Sequence, residues 1–543
     1  MTDRLRAYFA GLARPAAVAF GMVSVFALIG LRGSYLALSD GEVKAPAPVA
    51  AEAGQDEVKR GDIFDRDGEL LATSVDVYSL SANPREIWDA EEVAEALAGV
   101  FSGLDQVGVA KRLSRREKEF VWVRRGLTPR QRQAVFDLGL EGLQFSVESK
   151  RIYPRRAQSG HVLGHTNIDG LGQMGVELAR NDALAGGEMP VRLTLDSGVQ
   201  FVLEAELSQA AERFGAEGGV GIVLEVAGGK LRGLASWPAF NPNQYAAAED
   251  TERFNRAMTG VYELGSIFKP LTVAAAFEAG VLSEAERFDV RKPIVMRGKT
   301  ISDTHKAGAY MTAATVLAES SNIGTVKIAQ KLGETGLQSA FETYGLLNRA
   351  PIDLPGSAKP LLPPAWTDLA IATSSYGHGI SVSPLAFAGA FGALANGGVY
   401  TEMRIIETEE APVTRRVMSA QTAATVIEML RGAVLDGTGQ RGDVPGYRVA
   451  GKTGTAEKPI NGVYSEDQNI TSFAALFPAN RPEYVVLIVL DDPKMLAGDG
   501  GATAAWNAAP VAANVIERIA PILGVIPEFD QAALDGAPQR SVP

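Results

Sequence analysis

Apolar residues recur along this chain in three patterns. An uncharged run, PAAVAFGMVSVFALIGL (15–31), lies between Arg14 and Arg32. Short stretches rich in β-branched and aromatic residues predict strands: VYSLSA (77–82), FVWVRR (120–125), SFAALF (472–477) and YVVLIVLDD (484–492). GIVLEVAGGKLRGLASW (221–237) predicts two strands around Ala-Gly-Gly-Lys, a hairpin signal, and Asn480-Arg481-Pro482 is a turn between the last pair. Helical spacing marks AEEVAEALAGV (90–100), the alternating helices that lead to about residue 431, and a closing helix within AAWNAAPVAANVIERIAPIL. Strands before and after a helical block predict an antiparallel sheet built from both ends of that segment, with helices packed against it: an α+β fold.

The first run approaches the lower limit of about 17 residues for a spanning helix, and arginines at its ends can snorkel to the interface. Arg4, Arg6 and Arg14 precede it, so its N-terminal side is expected in the cytoplasm and the rest of the chain beyond the inner membrane. A cleaved signal peptide is the rival reading. The run is long for a signal core and ends without a small-residue cleavage site, which favours an uncleaved anchor. The segment GEVKAPAPVAAEAGQDEV (41–58) lacks periodicity and reads as a linker, and PEFDQAALDGAPQRSVP reads as a loose tail.

With 543 residues the chain has room for two to four folded units. Zero cysteines exclude disulfides, thiolate metal sites and thiol nucleophiles, and a net charge of -12 argues against a protein that coats nucleic acid. A basic cluster, KRLSRREK with TPRQRQ (111–132), reads as a solvated helical face, with a docking surface for a protein or glycan strand as the alternative.

Candidate chemistry lies in three short motifs. In VYELGSIFKPLTVAAAFEAG, a helix starting at Ser266 would place Lys269 about 300° around and about 4.5 Å along the axis, on the same face. A serine hydroxyl needs a base, and lysine serves only if burial or another cation lowers its pKa. Alone the pair means little, because Ser-x-x-Lys arises by chance about once in a chain of this length. TAATVLAESSNIGTVKIAQKLG predicts helices over 312–319 and from Ile323 to Gly333, broken at Ser320-Ser321-Asn322. Such residues are usually caps; in a catalytic setting Ser320 relays a proton and the Asn322 carboxamide holds a substrate amide. Finally, Lys452-Thr453-Gly454-Thr455 sits on a predicted strand. Gly454 admits another backbone, an edge strand can pair with an extended peptide, and Lys452 offers a cation to a carboxylate and to the Lys269 pKa.

The three motifs in this order resemble the active-site signature of penicillin-recognising serine acyl-transferases. RGDIFDRDGELLATS, RIYPRRAQSGHVLGHTN and GQMGVEL resemble the pedestal motifs of class B penicillin-binding proteins, and GHGISVSPLAFAGAFGALANGG resembles a helix start in their transpeptidase domain. Arg155-Arg156 departs from the usual pedestal pattern and puts one turn in question. The resemblance implies a cytoplasmic tail (1–14), a transmembrane anchor (15–36), a linker (37–59), a mixed pedestal domain (60–190), a transpeptidase domain (191–525) and a tail (526–543). It implies D,D-transpeptidation of peptidoglycan stem peptides, with Ser266 as nucleophile, Lys269 as base, Ser320 as proton shuttle and Asn322 positioning the donor. Lys452 with Thr453 or Thr455 would grip the terminal carboxylate beside Gly454, and the N–H groups of Ser266 and Thr455 would form the oxyanion hole. β-Lactams are expected to acylate Ser266, and no metal or organic cofactor is required. Ser320-Ser321-Asn322 and FPANRPEYVVLIVLDDPK point to the division branch over the elongation branch, with a membrane glycosyltransferase and divisome proteins as implied partners. A penicillin hydrolase with the same triad and a non-catalytic scaffold or sensor are the competing readings.

Overall fold

The computed structural model describes residues 59–529 apart from 188, 305–307, 461 and 497–500. The expected anchor, most of the linker and the end of the tail lie outside the described residues. Among the described residues no helix is long and apolar enough to cross a membrane.

Two compact units divide the described residues: Tyr78–Val147 forms one, and 59–77 with 148–529 forms the other. The smaller unit has helices Ala90–Val100, Gln106–Leu113 and Pro129–Asp137 and a strand Val121–Leu127. Asp89 caps the first helix by accepting from Glu91 and Glu92 N–H, and Thr128 with Gln131 forms a capping box on the third. Its core gathers Leu80, Leu97, Phe101, Val109, Leu113, Val123 and Val135. The basic cluster is not one helical face. It spreads over two helices, a loop and a strand, and part of it lies on aromatic rings: Arg124 over Phe101 at 5.1 Å and Arg132 over Tyr78 at 4.0 Å.

The pedestal motifs within the larger unit converge on one buried carboxylate. Glu177, from GQMGVEL, receives Arg60 Nε at 2.6 Å and Arg151 Nε at 2.7 Å, with Tyr153 Oη at 3.2 Å. Arg60 Nη2 also donates to the Glu177 carbonyl at 2.7 Å. Two guanidiniums and a phenol thus compensate an anion that has lost all contact with water.

The sheet of this unit has five antiparallel strands in the order Ala450–Ile460, Val463–Phe477, Tyr484–Asp491, Gly218–Glu225, Lys230–Trp237. The expected sheet from both ends of the segment is therefore present. Tyr484–Asp491 is apolar almost throughout because both its faces are covered. Val485, Leu487 and Val489 pack in one core with Leu271, Phe387 and Leu430, whereas Val486, Ile488 and Leu490 pack in another with Leu203, Leu207, Val515 and Ile519. The period-2 alternation of a strand sorts the residues to the two sides. Helices Ser197–Phe214 and Ala508–Ile522 supply the second core, and helices Lys269–Glu278, Pro384–Ala395 and Ala420–Leu435 supply the first. Pro384–Ala395 is buried along its entire length, which its Ala and Gly residues permit by allowing close approach.

Candidate active site

Ser266 does not open an α-helix. It lies in a 3-10 turn, Gly265–Phe268, and the α-helix begins at Lys269 with Pro270 in its first turn. The tighter turn brings Ser266 and Lys269 onto one side, since side chains at i and i+3 eclipse in a 3-10 turn. Gly265 has φ +60, and a Cβ there would lie 2.9 Å from the Thr455 carbonyl oxygen. Only glycine lets the Ser266 turn touch the edge strand. Gly454 fills the same need from the other side, because a Cβ on it would lie 2.4 Å from both the Leu264 carbonyl oxygen and Ser472 Oγ. Ser472 Oγ donates to the Leu264 carbonyl at 3.0 Å and ties the turn to the sheet.

Lys269 is fully buried. Its Nζ donates to the Ser320 carbonyl at 2.5 Å and lies 3.2 Å from Ser320 Oγ. Burial, and next the Lys452 charge, push the Lys269 amine well below the usual lysine range; Asp303 opposes them. Among the described residues Ser266 Oγ makes no hydrogen bond to Lys269, whose amine rests on Ser320.

Ser320 has φ 58, a left-handed conformation that costs a non-glycine residue on the order of 1–2 kcal/mol. The strain aims its carbonyl and hydroxyl together at Lys269. Its neighbours hold it there: Ser321 Oγ donates to Asp303 Oδ2 at 2.7 Å and accepts from Gly324 N–H at 2.9 Å, and Ile323 N–H reaches Asp303 Oδ1 at 3.0 Å. The flanking helices are Ala313–Ala318 and Asn322–Thr343, the latter broken at Gly333 where the sequence suggested an end. Asn322 is partly exposed at the start of the second helix, its amide donating to the Ser302 carbonyl at 3.1 Å.

Lys452 is also fully buried, and desolvation lowers its amine to about 7. It donates to the Thr453 carbonyl at 3.1 Å and lies 3.4 Å from Thr438 Oγ1, which in turn meets Thr453 Oγ1 at 2.8 Å. In a strand the N–H and C=O of one residue point to the same side. Because the Thr455 carbonyl faces Gly265, its N–H faces the Ser266 turn, as does the sheet edge at Thr453 two residues away.

Sequence reasoning passed over Thr438, Asp303 and a cluster beside the nucleophile made by Glu263, His378 and Tyr464. Gly437 carried a signal for Thr438: a Cβ there would lie 2.4 Å from the Ala318 carbonyl oxygen, and Thr438 N–H donates to that carbonyl at 3.1 Å. Asp303 stands alone in a loop, and nothing in its surroundings marks it.

A sheet of five strands between two helical layers, with a buried lysine at each of two facing motifs and a serine turn against the sheet edge, defines a penicillin-recognising transpeptidase domain. The family model described as penicillin binding protein transpeptidase domain matches residues 219–517, and the one described as penicillin-binding protein dimerisation domain matches 55–210. The chain belongs to the class B penicillin-binding proteins, the peptidoglycan D,D-transpeptidases. It is 41% identical over 503 residues to the probable peptidoglycan D,D-transpeptidase FtsI of Caulobacter vibrioides, covering 89% of this chain and 85% of that protein. Against Escherichia coli K12 peptidoglycan D,D-transpeptidase FtsI it is 30% identical over 481 residues, 82% of this chain and 81% of the other. Its fold is similar to that of penicillin binding protein 3 from Mycobacterium tuberculosis complexed with ampicillin, with a TM-score of 0.70 at 27% identity, covering 89% of this chain and 98% of that one.

Proposed function

We propose that this protein cross-links peptidoglycan stem peptides at the division septum through a Ser266 acyl-enzyme, and that β-lactams block it by acylating the same hydroxyl. The observation that carries the reading is a fully buried Lys269 whose amine is held on Ser320 beside a second buried lysine, Lys452. The lowered pKa of Lys269 favours the neutral amine, the form that can take a proton.

Lys269 takes the Ser266 proton as Oγ attacks the penultimate D-alanine carbonyl, and Ser320 passes that proton to the departing D-alanine amine. The N–H groups of Ser266 and Thr455 receive the developing oxyanion, worth about 3–4 kcal/mol per donor in such sites. Lys452, with Thr453 or Thr455, holds the terminal carboxylate, and a bound anion restores the Lys452 charge that burial weakens. Asn322 orients the donor amide, and Gly454 leaves room for the donor backbone at the sheet edge. An amine on a second stem peptide then displaces Ser266.

The same reading assigns 1–14 to the cytoplasm, 15–36 to a single inner-membrane span, 37–59 to a linker, 60–190 to the pedestal, 191–525 to the transpeptidase domain in the periplasm and 526–543 to a tail. A membrane glycosyltransferase and divisome proteins are the partners that go with it. Incubating purified protein with lipid-linked peptidoglycan precursor and a glycosyltransferase tests the activity. Mass spectrometry should find cross-linked dimers with wild-type protein and none with Ser266→Ala; equal cross-linking by both rejects the proposal.

A further inference from the structure

The acyl-donor machinery leaves one buried, titratable cluster next to the nucleophile unused. Glu263, three residues before Ser266, is nearly buried and accepts from Tyr464 Oη at 3.0 and 3.2 Å on its two oxygens. Gly379 N–H donates to the same carboxylate. His378 Nδ1 lies 3.5 Å from Glu263 Oε2, and its side chain keeps 23% of its surface open. The ring is held between Tyr376, at 5.3 Å between centroids, and Tyr464, at 5.9 Å. Its backbone is fixed to the nucleophile turn: Gly265 N–H donates to the Gly377 carbonyl at 3.2 Å, and a Cβ on Gly377 would lie 2.3 Å from the Gly265 carbonyl oxygen. The residue before Ser266 and the residue before His378 are therefore in direct contact.

Two features make this cluster chemical rather than merely structural. A carboxylate 3.5 Å from Nδ1 favours the hydrogen on that nitrogen and the lone pair on Nε2. Burial, with the Lys269 charge second, holds the imidazole down to about 4, so the ring is neutral at physiological pH. The groups facing it are Glu263, Tyr376, Tyr464 and Lys269.

We propose that His378, oriented by Glu263, receives the acceptor amine in the second half-reaction. The inference rests on the transpeptidase reading. The neutral amine donates an N–H to Nε2 with its own lone pair directed at the ester carbonyl. As the C–N bond forms, the nitrogen becomes acidic and one proton passes to Nε2. The C–O bond to Ser266 then breaks, the amide nitrogen keeps its remaining hydrogen, and the imidazolium returns its proton through water to the serine oxygen. The products are the new amide, free Ser266 and the starting base. Glu263 acts through the imidazole and is a positioning residue.

The test uses the full chain, a D-alanyl thioester as donor and D-alanine as acceptor amine, with release of thiol and formation of amide followed separately. For His378→Gln the transfer rate is expected to fall about a hundredfold further than the acylation rate, at the lower end of what a general base supplies. In His378→Ala, added imidazole should restore part of the transfer rate, whereas it should do nothing for wild type. Glu263→Gln should lower transfer while keeping imidazole rescue of the double variant with His378→Ala. Equal loss of acylation and transfer, or no rescue by imidazole in a variant that still acylates, overturns the role of His378 and leaves the transpeptidase reading standing. Wild-type protein that acylates but never transfers to an amine overturns both.

Discussion

Replacing Lys452 with methionine should make the fold more stable at pH 6 and the enzyme worse. The lysine is fully buried, and its pKa falls from 10.5 to about 7. At about 1.4 kcal/mol per pH unit, keeping the ammonium buried costs the folded state on the order of 5 kcal/mol wherever both folded and unfolded chains carry the proton. Between pH 7 and 10.5 the unfolded chain still holds a proton that the folded chain has shed. Unfolding there takes up a proton, so this lysine makes stability rise with pH across that window, and the full penalty applies below it. Methionine occupies similar volume without charge. It forfeits contacts to Thr453 and Thr438 at 3.1 to 3.4 Å, together worth on the order of 2 kcal/mol. The net gain at pH 6 is then about 2–3 kcal/mol, which for a domain this large raises the melting midpoint by about 4 °C or more. Circular dichroism melts of both proteins at pH 6 and pH 10 measure it, with the gain at pH 6 vanishing at pH 10. Acylation by a fluorescent penicillin, followed in parallel, should slow as the carboxylate loses its cation. A midpoint lowered at pH 6, or shifted equally at both pH values, refutes the reasoning.

Other consequences are independent of that one. Gly454→Ala puts a methyl 2.4 Å from the Leu264 carbonyl oxygen and forces the edge strand off the nucleophile turn; stopped-flow acylation should slow by about tenfold to a hundredfold, as displacements near 1 Å do. Removing Asp303 takes away the group that favours protonated Lys269. In Asp303→Ala the Lys269 pKa therefore falls further, and the acid limb of the acylation rate moves to lower pH, even as loss of the Ser321 and Ile323 contacts lowers its plateau. Glu177→Ala strands Arg60 and Arg151 without their anion, and urea unfolding should show a loss of about 3–5 kcal/mol.

Much of this architecture was legible in the residue pattern for physical reasons. Val485 to Leu490 announce a strand because two packed faces demand apolar side chains on both, and Gly333 announces a helix break because it alone adopts φ 68 without strain. Ser266, Lys269, Ser320, Asn322 and Lys452 stood out because their spacing relative to glycines and apolar runs repeats a known chemical arrangement. What escaped notice depends on contacts distant in sequence. Thr438 acquires meaning only through Lys452 and Thr453. Asp303 acquires it only when the loop after Ile301 folds onto Ser321. Glu263 and His378 meet across more than a hundred residues through a pair of glycines. The α-helix expected at Ser266 proved a 3-10 turn because Gly265, at φ +60, turns the chain immediately before it.

The central claim is that Ser266 is the atom that becomes acylated, with Lys269 as the amine that deprotonates it. Full-length protein incubated with a fluorescent penicillin, digested and sequenced by mass spectrometry, should carry the adduct on Ser266 alone, and Lys269→Ala should lower the labelling rate by about a hundredfold or more without moving the adduct. Label on another residue, or undiminished labelling of a folded Ser266→Ala variant, would contradict the account.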